Sequence, residues 1–217
     1  MWYVIITYNL ILPPVNRIII GHATLATSHT LLNELKLPFT ELIFHTLSGQ
    51  LTVTKKGDLL QMNFPVGNPL PVTLPPQAIA QLARAFGFEQ TSIVDTAYCS
   101  TTRKLVVELK SLQEVLKCAV PAATDLMSID FADIDVRGVI IVTTNLEGAA
   151  EKFKDCDFAS RYFAPWVAIP EDPVCGMHSP TFSSLFLQTY PLLYFIKRFC
   201  TYCAGRLLPE EVRQIHI

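Results

Sequence analysis

The sequence predicts strands and helices mixed along one chain, in an α/β or α+β arrangement. Three observations support this. A helical stretch near the N-terminus leads into three strand-like pieces separated by glycine turns. Residues 65–76, PVGNPLPVTLPP, hold five prolines in twelve positions and divide the chain. Beyond them helices and strands alternate again.

Residues 22–35 read as a helix, with Leu25, His29, Leu32 and Leu35 at three-to-four spacing. Pro38 ends it. Strands are expected at Leu42–Leu47, Gln50–Thr54 and Leu59–Phe64. Ser48-Gly49 and Lys56-Gly57-Asp58 are the turns between them. Proline fixes φ and removes a donor, so no regular structure is expected through 65–76, which reads as an interdomain linker. A helix follows over Gln77–Phe86, with Ile79, Leu82, Ala83 and Phe86 on one face. Strands are expected near Ile93–Ala97 and over Lys104–Leu109. Ser111 and Glu114 form an S-x-x-E capping box ahead of Val115 and Leu116, in a helix closed by Pro121. Val139–Thr143 reads as a strand. Asn145 is placed as the cap of a helix carrying Leu146, Ala149, Ala150 and Phe153. Arg161–Val167 is strand-like.

The chain has 217 residues, enough for a sizeable core in one large or two small domains. Apolar residues make up 50% and charged residues 17%, which excludes a long disordered chain. Lys plus Arg number 17 and Asp plus Glu 19, a net charge of −2 with no basic footprint, so nucleic acid is excluded as a partner. Mean hydropathy is +0.34, high for a soluble protein. Met1–Leu12 is apolar but lacks a basic n-region and a cleavage site, and is too short to span a bilayer. Ser183, Ser184, Gln188 and Pro191 interrupt the apolar stretch Phe182–Ile196. No membrane partner is expected. Six scattered cysteines, Cys99, Cys118, Cys156, Cys175, Cys200 and Cys203, read as free thiols in a reducing cytoplasm. Cys200 and Cys203 form a CxxC, but His216 is the only other nearby metal ligand, so no metal is expected.

Two segments stand out. Gly21-His22-Ala23-Thr24-Leu25 opens the first helix, and Glu171-Asp172-Pro173-Val174-Cys175-Gly176 precedes another apolar stretch. Each puts a glycine at a strand-to-helix junction. The unpaired N–H groups and positive dipole end of a helix N-terminus stabilise a bound carboxylate without any cation. Two such turns flanking a proline-rich stretch suggest two related half-domains.

These segments also carry a family resemblance. GHATLATSH (Gly21–His29), FHTLSGQLTV (Phe44–Val53), KLVVEL (Lys104–Leu109), RGVIIVT (Arg137–Thr143) and SRYFAPWVAIPEDPVCG (Ser160–Gly176) are similar to blocks of the PhzF-like, phenazine biosynthesis-type isomerases, which share the diaminopimelate-epimerase fold. The resemblance runs from about Gly21 to Gly176. It implies an α+β protein of two similar half-domains, each a curled, mostly antiparallel sheet around a central helix. The expected boundaries are a partial N-terminal half-domain over 1–66, a linker over 67–76 and a C-terminal half-domain over 77–217, with an atypical tail from 177. It further implies a cofactor-independent proton transfer on a small carboxylate-bearing metabolite. By position, His22 and Asp172 would be the catalytic pair, and Gly21, Ala23, Cys175 and Gly176 the substrate-binding positions. A helix N-terminus disfavours the cationic form of His22, so it would act neutral. Asp172 precedes Pro173, which biases its backbone to an extended shape.

The sequence departs from the family at both ends. The family's catalytic glutamate lies upstream of GHAT, whereas residues 1–33 hold no Asp or Glu and the first acid is Glu34. After Gly176 the family's GSAH is replaced by Met177-His178-Ser179-Pro180. Relatives that racemise with two thiols place one before each glycine turn; Cys175 fits the second place, but Ile20 occupies the first. Two functions are therefore expected side by side. One is an isomerase or epimerase of this family. The other is a truncated isoform or pseudoenzyme that acts as a binding protein. An incomplete half-domain leaves an open sheet edge, which a second copy in a homodimer would cover.

Overall fold

The structure, a computed structural model, describes residues 5–7, 21–46, 49–63, 68–148, 158–172, 199–203 and 206–207. For 5–7, His22, 199–203 and 206–207 the description is of the backbone alone. The chain forms two compact units, Met1–Pro65 with Ile215–Ile217, and Val66–Gln214.

The first unit holds a four-stranded sheet in the order β1-β2-β3-β4: Ile5–Thr7, Glu41–Thr46, Gly49–Lys56 and Leu59–Met62. β1 runs parallel to β2, and the other pairs are antiparallel. Leu42 lies opposite Val53, Phe44 opposite Leu51, and Val53 opposite Met62. All five are buried, so alternate positions of these strands put one apolar face inward. Gly57 makes the β3–β4 turn at φ 62°, a left-handed conformation that suits glycine.

Helix α1, Gly21–His29, continues into a π-helical turn, Thr30–Glu34, closed by the Leu35 amide donating to the Thr30 carbonyl at 2.8 Å. Its buried stripe is Thr24, Ser28 and Leu32, at four-residue spacing. The expected stripe is thereby corrected: Leu25 is half-buried, His29 faces solvent 3.8 Å from Glu34, and Leu35 is 61% exposed. The polar residues tolerate burial because the Ser28 hydroxyl donates to the Thr24 carbonyl of its own helix, at 2.8 Å. The wider π turn carries Leu35 off the helix face. Lys55 of β3 donates to the Leu32 carbonyl at 3.2 Å, a cation at the end where the dipole is negative.

The second unit is built on an eight-stranded sheet. Its strands are β5 (Leu70–Pro71), β6 (Ile93–Cys99), β7 (Lys104–Leu109), β8 (Gly138–Thr143), β9 (Phe158–Ala164), β10 (Ile169–Asp172), β11 (Phe199–Cys203) and β12 (Arg206–Leu207). The order is β12-β11-β9-β8-β7-β6-β5, with β10 paired to β9 off this path. β7–β8 and β9–β11 are parallel pairs; the rest are antiparallel. β10 and β11 divide one edge of β9: β11 pairs with Phe158–Ser160, β10 with Tyr162 and Ala164.

Helices α2 (Pro76–Phe86), α3 (Leu112–Lys117) and α4 (Ala123–Met127) bury Leu82, Phe86, Val115 and Leu126 with Leu105, Val107, Val139, Ile141 and Phe163 of the sheet. Proline at the first helical position suits the start of α2, since its missing N–H has no partner to lose there. Gly87, at φ 77°, stops it by donating to the Ala83 carbonyl. Ser111 caps α3: the Glu114 amide donates to Ser111 Oγ at 3.4 Å, and that hydroxyl donates to the Glu114 carboxylate at 3.2 Å.

Four expectations are corrected. The proline-rich stretch is not free of regular structure, because β5 lies within it and Leu74 is buried. Pro71 is tolerated there because β5 is the last strand of the described sheet order, where a missing donor breaks no ladder. Helix α3 ends at Lys117, before Pro121, and the Ala119 amide turns to the Phe86 carbonyl at 2.8 Å. No helix starts at Asn145; its side chain accepts from the Glu147 amide at 3.1 Å and donates to the Lys110 carbonyl at 2.9 Å, in a turn that reaches Gly148 at φ 68°. Residues 149–157 lie outside the described residues. The strand read as Arg161–Val167 starts earlier and gives way to a 3₁₀ turn at Pro165–Val167. Among the described residues no helix is long and apolar enough to cross a membrane, and Phe182–Ile196 lies outside them.

Candidate active site

The first motif opens α1 as expected. The helix begins at Gly21, which is buried, and Ala23 is half-buried. No acidic residue lies in the first turn of the helix. His22 sits in this first turn, and its side chain lies outside the described residues.

The second motif is placed by β9 and β10. Phe163 of β9 is buried against Phe86 of α2, ring centroids 4.8 Å apart and edge to face. Arg161, two residues back, shares that face and lies 5.1 Å from the Phe163 ring. Its Nε and Nη2 donate to the two carboxylate oxygens of Glu171, at 2.7 and 2.9 Å. Nη1 donates to the carbonyls of Val115 and Cys118 at the end of α3. The two side chains are 3% and 5% exposed, so a bidentate ion pair is buried here. The sequence reading did not single out Arg161; a lone arginine inside an apolar strand was the available signal.

Tyr162 points to the opposite face. Its ring lies 4.7 Å from the buried Lys104 ammonium and covers Gly138, where a Cβ would come within 2.6 Å of the hydroxyl. Asp172 is the last residue of β10, half-buried and directly opposite Tyr162. The second motif thus gives its two acids different tasks: Glu171 is bound to Arg161, and Asp172 lies on the Tyr162 side. Cys175 and Gly176 lie outside the described residues. Among the described residues no group of three His, Cys, Asp or Glu could hold a metal ion.

Two further titrating groups belong to this unit. Glu108 of β7 lies opposite Asp95 of β6 and accepts from the Thr144 hydroxyl at 2.9 Å. Burial, with a lesser push from Asp95, raises its carboxyl above the ordinary 4.5; the Thr144 hydrogen bond opposes this. The folded state then holds its proton more tightly than the unfolded state. This stability is fully present below the ordinary value and is lost as pH rises through the raised one. Glu108→Gln is expected to flatten that part of the stability profile in urea melts run on both sides of the transition; an unchanged slope would remove Glu108 as its source. Burial pushes the Cys118 thiol up to about 12, with Arg161 pulling weakly the other way. Cys118 is therefore expected to resist alkylation in the native protein and react on unfolding, as read by peptide mass mapping; rapid native labelling would contradict it.

An α+β chain with the GHAT segment opening α1 and Glu171-Asp172 ending β10 defines a class, the PhzF-like proteins. The chain belongs to the phenazine biosynthesis-like family, PhzC-PhzF, whose model matches residues 14–192. It is 32% identical over 181 residues to the phenazine biosynthesis-like domain-containing protein of Rattus norvegicus, covering 81% of this chain and 60% of that protein. It is 29% identical over 195 residues to uncharacterized isomerase PA3578 of Pseudomonas aeruginosa, covering 90% of this chain and 66% of that protein. The crystal structure of a phenazine biosynthesis protein of the PhzF family from Enterococcus faecalis superposes with a TM-score of 0.64 at 28% identity, over 85% of this chain and 61% of that one. The chain therefore spans about three fifths of the rat relative's length.

Proposed function

We propose that this chain is a cofactor-independent isomerase that moves a proton on a small carboxylate-bearing metabolite. In this proposal His22 and Asp172 take and return the proton, and the backbone at Gly21, Ala23, Cys175 and Gly176 binds the substrate carboxylate. The observation that carries it is the placement of the second motif's acids: Asp172 ends β10 opposite Tyr162, while Glu171 is paired with Arg161. Family membership supports the reaction class. General acid–base catalysis needs a group that both gives and takes a proton within hydrogen-bond reach, and a histidine with a carboxylate meets that need.

The test is deuterium incorporation from D₂O into a panel of small amino and hydroxy acids, followed by NMR. Asp172→Ala is expected to cut the rate by roughly 10²–10⁴-fold, the range for loss of an acid–base group. Wash-in at the wild-type rate in this variant would sink the assignment. The alternative function is ligand binding without turnover. Saturable binding of a carboxylate with no wash-in is its signature. The proposal also places the protein in the cytoplasm, away from nucleic acid and membrane; light scattering decides whether it acts as a homodimer.

A further inference from the structure

β10 does not run in simple register with β9. Ile169 lies opposite Ala164 and Asp172 opposite Tyr162, so three steps along β10 meet two along β9, and a one-residue bulge lies between. The register decides which acid faces which side, because opposed residues of an antiparallel pair share a face and neighbours alternate. Continued without the bulge, the Ile169–Ala164 register would set Glu171 opposite Tyr162 and turn Asp172 to the Arg161 side. The observed arrangement is the reverse: Glu171 meets Arg161 through two parallel hydrogen bonds, and Asp172 meets Tyr162.

We propose that Arg161 and Glu171 are positioning residues, whose buried ion pair holds the β10 bulge and so turns Asp172, rather than Glu171, onto the Tyr162 face. Arg161 is itself fixed from the far side. Its Nη1 is held by the Val115 and Cys118 carbonyls, so the guanidinium is aimed before Glu171 arrives. A carboxylate buried on this face without that partner would be costly, and the charge it must meet therefore selects the register. For its functional consequence this inference rests on the assignment of Asp172 to the chemistry.

The register is read directly by backbone NOEs in labelled full-length protein. The wild type is expected to show cross-strand peaks between residues 172 and 162. In Glu171→Ala those peaks lose most of their intensity and peaks between 171 and 162 replace them. Glu171→Gln, which keeps an oxygen facing Arg161, retains the wild-type pattern. Wild-type 172–162 peaks in a folded Glu171→Ala protein would overturn the proposal. Should Glu171→Ala fail to fold, the test passes to Arg161→Gln, which removes the charge that Glu171 meets; the same exchange is expected, and its absence overturns the proposal equally. A purely stabilising pair would lower the melting temperature without exchanging these peaks. The readout needs no substrate, so a failure of deuterium wash-in would sink the role of Asp172 while leaving the register result standing.

Discussion

Arg161→Met is expected to destabilise the second unit by about 3–5 kcal/mol, the range for removing one partner of a buried ion pair. The substitution keeps the length of the side chain but strands the Glu171 carboxylate and the carbonyls of Val115 and Cys118. The cost comes mainly from the uncompensated buried charge, not from the attraction that is lost. Any shift of β10 that lets Glu171 reach water reduces it. For a chain of this size each kcal/mol lowers the midpoint by roughly 2–4 °C, so a fall on the order of 10 °C is expected. Arg161→Lys should cost less, since it retains the charge. A loss for Arg161→Met of under about 1 kcal/mol, typical of an exposed pair, would show that the pair is not buried in solution.

Phe163→Ala is expected to cost a comparable amount, about 3–5 kcal/mol, through lost transfer energy and the cavity left behind. Phe163 is fully buried, and Phe86 meets its ring edge to face at 4.8 Å. The void would open between the sheet and α2, where Leu82 and Phe86 have no water to fall back on. Phe163→Leu keeps most of the volume and should lose less. Because the Arg161 guanidinium lies 5.1 Å from this ring, the two substitutions share a neighbourhood and should not add. Urea melts of the two single variants and the double variant measure the coupling. Strict additivity would mean that the arginine gains nothing from the ring beneath it.

Much of the architecture was legible in the sequence because it rests on local chemistry. The first unit's strands follow from strand-like runs bounded by the turns at Gly49 and Gly57, and the start of α3 from Ser111 and Glu114. What was missed depends on partners distant in sequence. The buried stripe of α1 runs through Thr24 and Ser28, which a count of apolar side chains passes over, because an intrahelical hydrogen bond makes Ser28 fit for burial. Pro71 sits in a strand that its own chemistry argues against, and its place at the end of the sheet order is visible only once the sheet is assembled. At the candidate site the motifs located Gly21 and Asp172 on their elements, α1 and β10. They did not disclose that the neighbouring Glu171 belongs to Arg161, whose other partners lie 43 and 46 residues away.

The parallel pairing of β7 with β8 bears on how quickly the protein folds. Lys104 lies beside Gly138, so the pair closes only after the intervening chain, with α3 and α4, has been drawn into a loop. Closing that loop costs entropy before any ladder bond repays it, and non-local pairings slow folding. The β2–β3–β4 meander needs only two tight reversals. Within the first unit this meander should therefore gain protection from hydrogen exchange early during refolding. The crossover to β8 sets the pace for the second, and the guanidinium of Arg161 finds its carbonyls only after that step.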